Sequence, residues 1–373
     1  MKKVVIVFSG FNLRAVIAFL RTLEENDVAY GIIAKSDKDE IFRTTYSTRV
    51  LAIRKQMALN LVDMIASIYS LQSQLGAEEY VIAPSTEALN RFLLDNRDEF
   101  EELGCEIPLV SQDMYEQISD KLSFTKLCEK NNILTPREYE NIADAKSPFV
   151  AKPKTYYSKG GEVQAPILIF DQDQKETFTK NRESEDFYYQ EFIDGKSYYL
   201  LYYFYEGGTV ARFSQINYMQ QPEGKSIIGA ESSNFHETDE SDKYEKLFRS
   251  IRFRGLVMCE VKCQNGKNYM IEANPRFWGP SQLFVDAGVN LFESFLYDWG
   301  LINEVSSSAS AQKPTKYFWY GGIKSLGISD DEITFHAYDK VQYKESLSEW
   351  MSRDVYNRSD TRDLYELELG KNT

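Results

Sequence analysis

The chain has 373 residues and a net charge of −14, which argues against nucleic acid or an anionic membrane as a partner because both attract basic surfaces. Its four cysteines and two histidines support neither a disulfide framework nor a zinc site. No apolar run near the N-terminus is long enough for a signal or membrane segment, so we expect a cytoplasmic protein.

Residues 1–115 alternate short apolar runs with longer amphipathic stretches. The pattern predicts strands at 3–8, 28–34 and 79–83, and helices at 13–25, 57–75 and 87–101. Such alternation is typical of a parallel α/β domain. The first turn holds one glycine, Gly10, and therefore lacks the three glycines of a dinucleotide fingerprint.

A second region begins with residues 119–138, in which apolar side chains recur at helical spacing. The pattern predicts an amphipathic helix that starts near Lys121 and ends at Asn132, since asparagine tolerates a left-handed helix end. Residues 147–154 then predict a short strand that contains Lys152. Taken alone, each segment is an ordinary element of a folded domain.

A polar loop at residues 155–163 follows this strand and contains Lys159, Gly160 and Gly161. Backbone N–H groups of such a loop can bind phosphate oxygens while the lysine supplies positive charge. The alternative is a flexible hairpin tip with no ligand. Residues 186–204 then predict two strands rich in tyrosine and phenylalanine, joined by a tight turn.

The stretch at residues 257–280 is the most informative part of the sequence. It starts with two strand-like runs around a central Asn-Gly turn. If the polar residues of both strands share one face, Glu260, Glu272 and Asn274 lie close enough to bind one or two small cations. Oxygen ligands alone favour Mg²⁺ over zinc. The alternative is a half-exposed hairpin whose polar face is only solvated.

The geometry of the turn decides whether those side chains share a face. A two-residue turn would pair Gln264 with Lys267 and place Glu272 on the core face beside Cys259. We therefore expect a three-residue loop with a left-handed bulge at Gly266, which shifts the pairing by one residue. The residues that this register places on the opposite, core-facing side include Val261 and Ile271.

Together these segments resemble the ATP-grasp superfamily of carboxylate–amine and carboxylate–thiol ligases. The run from Glu272 to Arg276, Glu-Ala-Asn-Pro-Arg, is similar to the end of the family's metal site, with Glu260 as its first glutamate. Asp120-Lys121 is similar to the family's phosphate-binding lysine segment. The resemblance implies α/β and α+β architecture: an N-terminal Rossmann-like pre-ATP-grasp domain followed by the two-subdomain ATP-grasp fold.

The resemblance also implies roles for individual residues. The metal ligands for Mg²⁺, or Mn²⁺, would be Glu260, Glu272 and Asn274. The ATP-binding residues would be Lys121, Lys152, Lys159, Gly160, Gly161, Gln190, Glu191 and Ile193. The catalytic residues would be Arg276 and Lys262. One position departs from the family, since Ser197 stands where a ribose-binding glutamate is common.

From the motifs we expect four regions. They are a pre-ATP-grasp domain at 1–115, a lid subdomain at 116–188, a subdomain with adenine hinge and metal ligands at 189–305, and a C-terminal extension at 306–373. The resemblance implies a ligase that activates a small carboxylate as an acyl phosphate and joins it to an amine or thiol. The partners would be those small molecules, and a homodimer is compatible with the sequence. The alternatives are a small-molecule kinase and a non-catalytic nucleotide-binding regulator.

Overall fold

The computed structural model describes residues 3–158, 160–182, 184–306, 314–324, 327 and 332–371. The described residues form three β-sheets with helices packed against them. None of their helices is long and apolar enough to cross a membrane.

The first sheet is parallel and lies in the N-terminal region. Its strands are β1 (Lys3–Phe8), β2 (Tyr30–Ala34), β3 (Val50–Ile53), β4 (Glu79–Ile82) and β5 (Cys105–Glu106), in the order β3-β2-β1-β4-β5. The helices are α1 (Leu13–Glu25), α2 (Leu61–Leu75), α3 (Glu87–Asp95) and α4 (Arg97–Glu102). Because helices cover both faces of β1, its apolar residues are buried in two separate cores.

The predicted bounds of the elements in this region are most accurate where the apolar pattern extends over many residues. Helix α1 has the predicted bounds, whereas α2 begins at Leu61 rather than residue 57 because Asn60 caps it. The helix predicted at 87–101 is two helices, since Asn96 leaves helical geometry with φ −128° and ψ 35°. Strands β3 and β5 escaped prediction because they have only four and two residues.

Two helices lead into the second sheet, which is antiparallel. These helices are α5 (Gln112–Ser119) and α6 (Lys121–Lys130). The sheet contains β6 (Glu138–Tyr139), β7 (Phe149–Pro153), β8 (Ile167–Ile169) and β9 (Phe187–Glu191) in the order β6-β9-β7-β8, with α7 (Gln172–Asn181) against it. Helix α6 begins at Lys121 as predicted, and Asn132 has the expected left-handed backbone, with φ 57°.

The third and largest sheet carries the hairpin. Its main strands are β10 (Lys196–Phe204), β11 (Val210–Gln220), β12 (Ile227–Ser233), β13 (Gly255–Gln264) and β14 (Lys267–Asn274). Three helices belong to the same region: α8 (Asp239–Ser250), α9 (Gln282–Asp286) and α10 (Leu291–Asp298). One face of the sheet packs on α5, α6 and α8, and the other packs on α9, α10 and α1. The N-terminal region and the large sheet therefore share a core.

The hairpin corrects the predicted register. Its turn has two residues, Asn265 and Gly266, both left-handed with φ of 52° and 74°, so Gln264 pairs with Lys267. The bulge that returns Glu272 to the polar face lies further along β14, at Ile271. Our placement of the bulge at Gly266 was therefore wrong, although the need for one was correct. Because the register changes there, Met270 rather than Ile271 is buried beside Val261.

The C-terminal extension returns to both earlier regions. Strands β15 (Lys316–Phe318) and β16 (Thr334–Phe335) join the large sheet, and α11 (Gly321–Lys324), α12 (Lys340–Ser352) and α13 (Arg362–Glu368) pack around them. Arg21 of α1 donates hydrogen bonds to both oxygens of Asp360, at 2.8 and 3.0 Å. This bidentate ion pair fastens the extension to the N-terminal region.

Glu368 of the extension is an acid in a poorly solvated position. Burial raises its pKa to about 8, even though Trp319 Nε1 donates a hydrogen bond to its carboxylate at 3.1 Å. The carboxylate lies against Gly321, where a Cβ atom would be 1.7 Å from Oε1. Glu368 is therefore largely protonated at neutral pH, and folding is opposed once it ionises.

We expect Glu368→Gln to remove part of the pH dependence of stability. The folded protein holds the Glu368 proton up to about pH 8, whereas the unfolded chain loses it near the usual pKa of about 4.3. The contribution of Glu368 to stability thus falls as pH rises between those values. Relative to the wild type, the variant should be more stable at pH 9 than at pH 6 by about 2–3 kcal/mol. Urea unfolding of both proteins at both pH values measures the free energies. If the variant and the wild type differ by the same amount at pH 6 and pH 9, the prediction is wrong.

Candidate functional site

The two hairpin glutamates are direct neighbours on adjacent strands, on the same face of the sheet. Glu260 of β13 pairs directly with Glu272 of β14, and Met258 pairs with Asn274 two residues away on the same face. Glu260 and Asn274 are 6% and 8% exposed. Asn274 Nδ2 donates to Glu272 Oε1 at 2.8 Å, which holds the carboxamide beside the carboxylate. The structure therefore brings together the three residues predicted as metal ligands.

Two lysines from separate elements meet this acidic pair. Lys121, at the start of α6, forms an ion pair with Glu272 at 2.8 Å. Lys152 of β7 is 4% exposed, and its Nζ atom donates to the carbonyl oxygen of Ile271 at 2.8 Å. Ile271 is the bulged residue, so its carbonyl has no register partner on β13 and is free to accept this bond. The bulge thus links the second sheet, β6 to β9, to the hairpin; because this sheet falls in the predicted lid subdomain, we call it the lid sheet.

These charges shift one another's proton affinity. Burial lowers the pKa of Lys152 to about 7, and the nearby Lys121 ammonium acts in the same direction. Burial also raises the pKa of Glu260, and repulsion by Glu272 adds to this effect. For Glu272, burial raises the pKa, but the ammonium of Lys121, the amide of Asn274 and the charge of Arg276 together hold it well below its usual range. Only one carboxylate is thus strongly neutralised by the protein, and the other lies where a cation would be stabilised.

A buried polar chain supports Glu260 from behind. Ser197 Oγ donates to Glu260 Oε1 at 3.2 Å and accepts from Asn217 Nδ2 at 3.0 Å. Gln215 Nε2 in turn donates to Asn217 Oδ1 at 2.7 Å. Sequence reasoning missed this support, although polar residues within otherwise apolar strands were its visible signal. The departure noted at Ser197 therefore has a structural role beside Glu260.

Arg276 connects the hairpin with the N-terminal region. Its Nη2 atom donates to Asn274 Oδ1 at 3.1 Å, and its Nε atom lies 3.5 Å from a carboxylate oxygen of Glu87 at the start of α3. Nearby, Asn12 Nδ2 donates to the carbonyls of Ser85 and Phe277, at 3.0 and 3.2 Å. The carboxyl edge of the parallel sheet is thereby held against the cluster of Glu260, Glu272 and Asn274.

The predicted hinge joins the two antiparallel sheets. Gln190 is fully buried in β9, and both polar atoms of its side chain lack a hydrogen-bond partner among the described residues. Ile193 is 4% exposed, whereas Glu191 is partly exposed. Gly195 is required here, since a Cβ atom would lie 2.1 Å from the carbonyl oxygen of Cys263. The chain can therefore pass close to β13 only without a side chain.

The remaining predicted residues lie at the two ends of the cluster. Lys262 has its ammonium 5.4 Å from the ring centre of Phe192 in the hinge, and its charge also lowers the pKa of Glu260. Gly161 has φ 80° and donates its N–H to the carbonyl of Ser158. Gly160 lies in the same exposed loop, and Lys159 lies outside the described residues.

Two cavities meet at the cluster. One, of about 310 Å³, is lined by Glu260, Glu272 and Arg276. The other, of about 720 Å³, lies between the carboxyl edge of the parallel sheet and the loop residues Tyr156 and Tyr157. Arg276 and Asn12 line both cavities, so a small molecule in either one can reach the junction beside the acidic pair.

No cluster of three or more His, Cys, Asp or Glu residues suited to a metal occurs in the described parts of the chain. The candidate cation site has two carboxylates and one carboxamide, all oxygen donors. This set suits Mg²⁺ or Mn²⁺, which also accept water and phosphate oxygens as ligands. The protein residues therefore fit such a cation but leave part of its coordination to other ligands.

Comparison with known proteins identifies the central part of this arrangement. Residues 118–280 match a family model described as an ATP-grasp domain. This match confirms the ATP-grasp resemblance and covers α6, the lid sheet and the hairpin. A comparison with curated protein sequences found no significant match.

Solved structures extend the likeness to most of the chain. A biotin carboxylase from Campylobacter jejuni has a TM-score of 0.62 at 14% identity, over 84% of this chain and 74% of that one. The N5-carboxyaminoimidazole synthetase from Staphylococcus aureus has a TM-score of 0.63 at 13% identity, over 87% and 84%. A biotin carboxylase domain dimer of 2-oxoglutarate carboxylase from Hydrogenobacter thermophilus, with MgADP and bicarbonate, has 0.62 at 14%, over 84% and 73%. At these identities the likeness establishes the fold, and it confirms the predicted fold class.

We expect removal of either hairpin carboxylate to weaken cation binding. Glu260→Gln and Glu272→Gln each keep the side-chain shape but lose a charged oxygen ligand, so the affinity for Mn²⁺ should fall about tenfold or more. Titration with Mn²⁺, followed by electron paramagnetic resonance, measures the change. Glu206→Gln, at a side chain that is 77% exposed, is the matched control and should leave the affinity unchanged. Equal affinities in all four proteins contradict the assignment.

Proposed function

Because residues 118–280 form an ATP-grasp domain, we propose that this protein is an ATP-dependent ligase of small molecules. It activates a carboxylate as an acyl phosphate and joins it to an amine, or to a thiol. ADP and phosphate are the other products. One observation carries the proposal: Lys121 and Lys152, from distant segments, both contact the hairpin at 2.8 Å, Lys121 at Glu272 and Lys152 at the Ile271 carbonyl, where Glu272 pairs with Glu260.

The nucleotide lies between the lid sheet and the large sheet in this proposal. Gln190, Glu191 and Ile193 supply the hinge for the adenine, with the unpaired amide of Gln190 as a buried donor and acceptor. Lys262 lies near the hinge and acts electrostatically on Glu260, so in this proposal it supplies positive charge between the adenine site and the reacting groups. The glycine loop with Gly160 and Gly161 covers the phosphates, and Lys159 belongs to that loop.

A divalent cation, Mg²⁺ or Mn²⁺, would be held by Glu260, Glu272 and Asn274 and would neutralise charge on the β and γ phosphates. Lys121 now neutralises Glu272. With the cation bound to that carboxylate, the ammonium of Lys121 would supply positive charge to the phosphates. Lys152 remains fixed by the Ile271 carbonyl and contributes positive charge from the lid sheet.

The reaction needs no nucleophile from the protein. A carboxylate oxygen of the substrate attacks the γ phosphorus of ATP. The bond between that phosphorus and the bridging oxygen breaks, ADP leaves, and an acyl phosphate forms. The lone pair of the amine then attacks the acyl carbon, the amine loses a proton, and phosphate leaves. Arg276 lies at the junction of both cavities, where its guanidinium can stabilise the negative charge on the acyl oxygen.

Three of the four cysteines are poor candidates for a competing covalent route, and the fourth, Cys263, is partly exposed. Cys105, Cys128 and Cys259 are buried, and burial raises the pKa of each thiol, which disfavours the reactive thiolate. A second candidate shares the same cluster: a kinase that transfers the γ phosphoryl to a hydroxyl group and stops there. The cation site and lysines serve both reactions, so the product must distinguish them.

We predict that the true acid, supplied with ATP and Mg²⁺ but no amine, yields an acyl phosphate that hydroxylamine captures as a hydroxamate. The acid is found by screening ADP release against pools of carboxylates and amines. Glu272→Gln should lower hydroxamate formation about 100-fold or more, because the cation loses a charged ligand. Glu206→Gln again serves as the control. If ADP accumulates without hydroxamate and phosphate is found on a hydroxyl group, the kinase replaces the ligase.

A further inference from the structure

Arg14 is a buried cation that lies in the smaller cavity of the site. It is the second residue of α1 and is 8% exposed. It lines the cavity of about 310 Å³ together with Glu260, Glu272 and Arg276. No motif of the sequence points to it, and the roles proposed above do not use it.

The hydrogen bonds of Arg14 go to neutral acceptors. Its Nη1 atom donates to the carbonyl of Ile227 at 3.2 Å and to the hydroxyl of Tyr317 at 3.0 Å. None of the ion pairs between described residues includes Arg14. Asp354 is near enough for Arg14 to lower its pKa, but its oxygens accept N–H groups of Tyr320 and Tyr356, at 2.7 and 2.8 Å.

The surroundings of Arg14 are shaped to hold its guanidinium in place. Trp319 lies under it, with its ring centre 3.6 Å from Arg14 Cζ. Gly279 leaves the necessary space on another side, because a Cβ atom there would be 2.8 Å from Arg14 Nη2. Thus the C-terminal extension supplies the Trp319 ring and the Tyr317 hydroxyl, and Gly279, after the hairpin, leaves room for the guanidinium.

A buried guanidinium is expensive to desolvate unless an anion accompanies it. We propose that Arg14 binds the carboxylate of a small organic acid in this cavity, and that Tyr317 and Trp319 of the extension position it for that contact. This inference rests on the proposed function, since the acid would be the substrate that is activated. The planar guanidinium suits a carboxylate because it can donate two parallel hydrogen bonds. The extension thereby becomes part of the substrate site.

Fluoroacetate is a suitable probe, because it is a minimal carboxylate whose binding broadens its ¹⁹F resonance. The experiment uses the full chain with MgADP present, and acetate as the competitor. Arg14→Gln should weaken fluoroacetate binding about tenfold or more, since it removes charge-assisted hydrogen bonds. Arg212→Gln is the matched control, because Arg212 pairs with Asp242 and Glu245 away from the cavity. Absence of competable binding to the wild type, or equal binding to Arg14→Gln, overturns the proposal.

A double-mutant cycle separates the role of Arg14 from general damage to the fold. Gly279→Ala should displace the guanidinium and weaken fluoroacetate binding, but it should add little in the Arg14→Gln background. Tyr317→Phe removes only the hydroxyl acceptor and should show the same dependence on Arg14, with a smaller loss. If either change weakens binding equally in both backgrounds, the positioning role is refuted.

The same experiment distinguishes this inference from the proposed function. Its readout is carboxylate binding, and it needs no turnover of ATP. MgADP affinity serves as the check on folding, because Arg14 contacts neither Lys121 nor Lys152 in the described hydrogen bonds. Carboxylate binding that depends on Arg14, in a protein that forms no acyl phosphate, would uphold the site and reject the ligase.

Discussion

The site depends on the repulsion between two carboxylates that the hairpin places opposite each other. Glu260 and Glu272 share one face only because Ile271 bulges out of β14. The bulge also exposes the carbonyl that accepts the ammonium of Lys152. One backbone irregularity thus gathers the acidic pair and attaches the lid sheet to it, while Lys121 neutralises one of the acids.

The rest of the fold holds this cluster from three sides. Helix α3 of the N-terminal region contributes Glu87 beside Arg276, and the large sheet contributes the chain of Gln215, Asn217 and Ser197 behind Glu260. The extension packs on α1 through a core that also includes the large sheet. Because no region builds the site alone, movement of one sheet against another changes the geometry of the lysines and carboxylates together.

Local signals predicted the elements but not every boundary. Long apolar patterns placed α1 and β1 correctly, whereas a cap at Asn60 and a break at Asn96 moved or divided later helices. The hairpin shows the same limit more sharply. An Asn-Gly turn favours two left-handed residues, which the structure has, and the compensating bulge lies where the face must change rather than at the turn. The position of the bulge within β14 depends on the neighbouring lid sheet, because Lys152 of that sheet donates a hydrogen bond to the carbonyl that the bulge exposes.

The sequence by itself determined four of the charged residues of the site and their order along the chain. The hairpin glutamates, the helix-starting Lys121 and the strand residue Lys152 are visible because each stands at a characteristic point of a local pattern. Only the tertiary structure decided how Arg14, Ser197 and the extension take part. Their contacts join segments far apart in the chain, such as Arg14 and Tyr317, which are 303 residues apart. No local pattern encodes such a contact, because it arises from the packing of separate elements around a shared core.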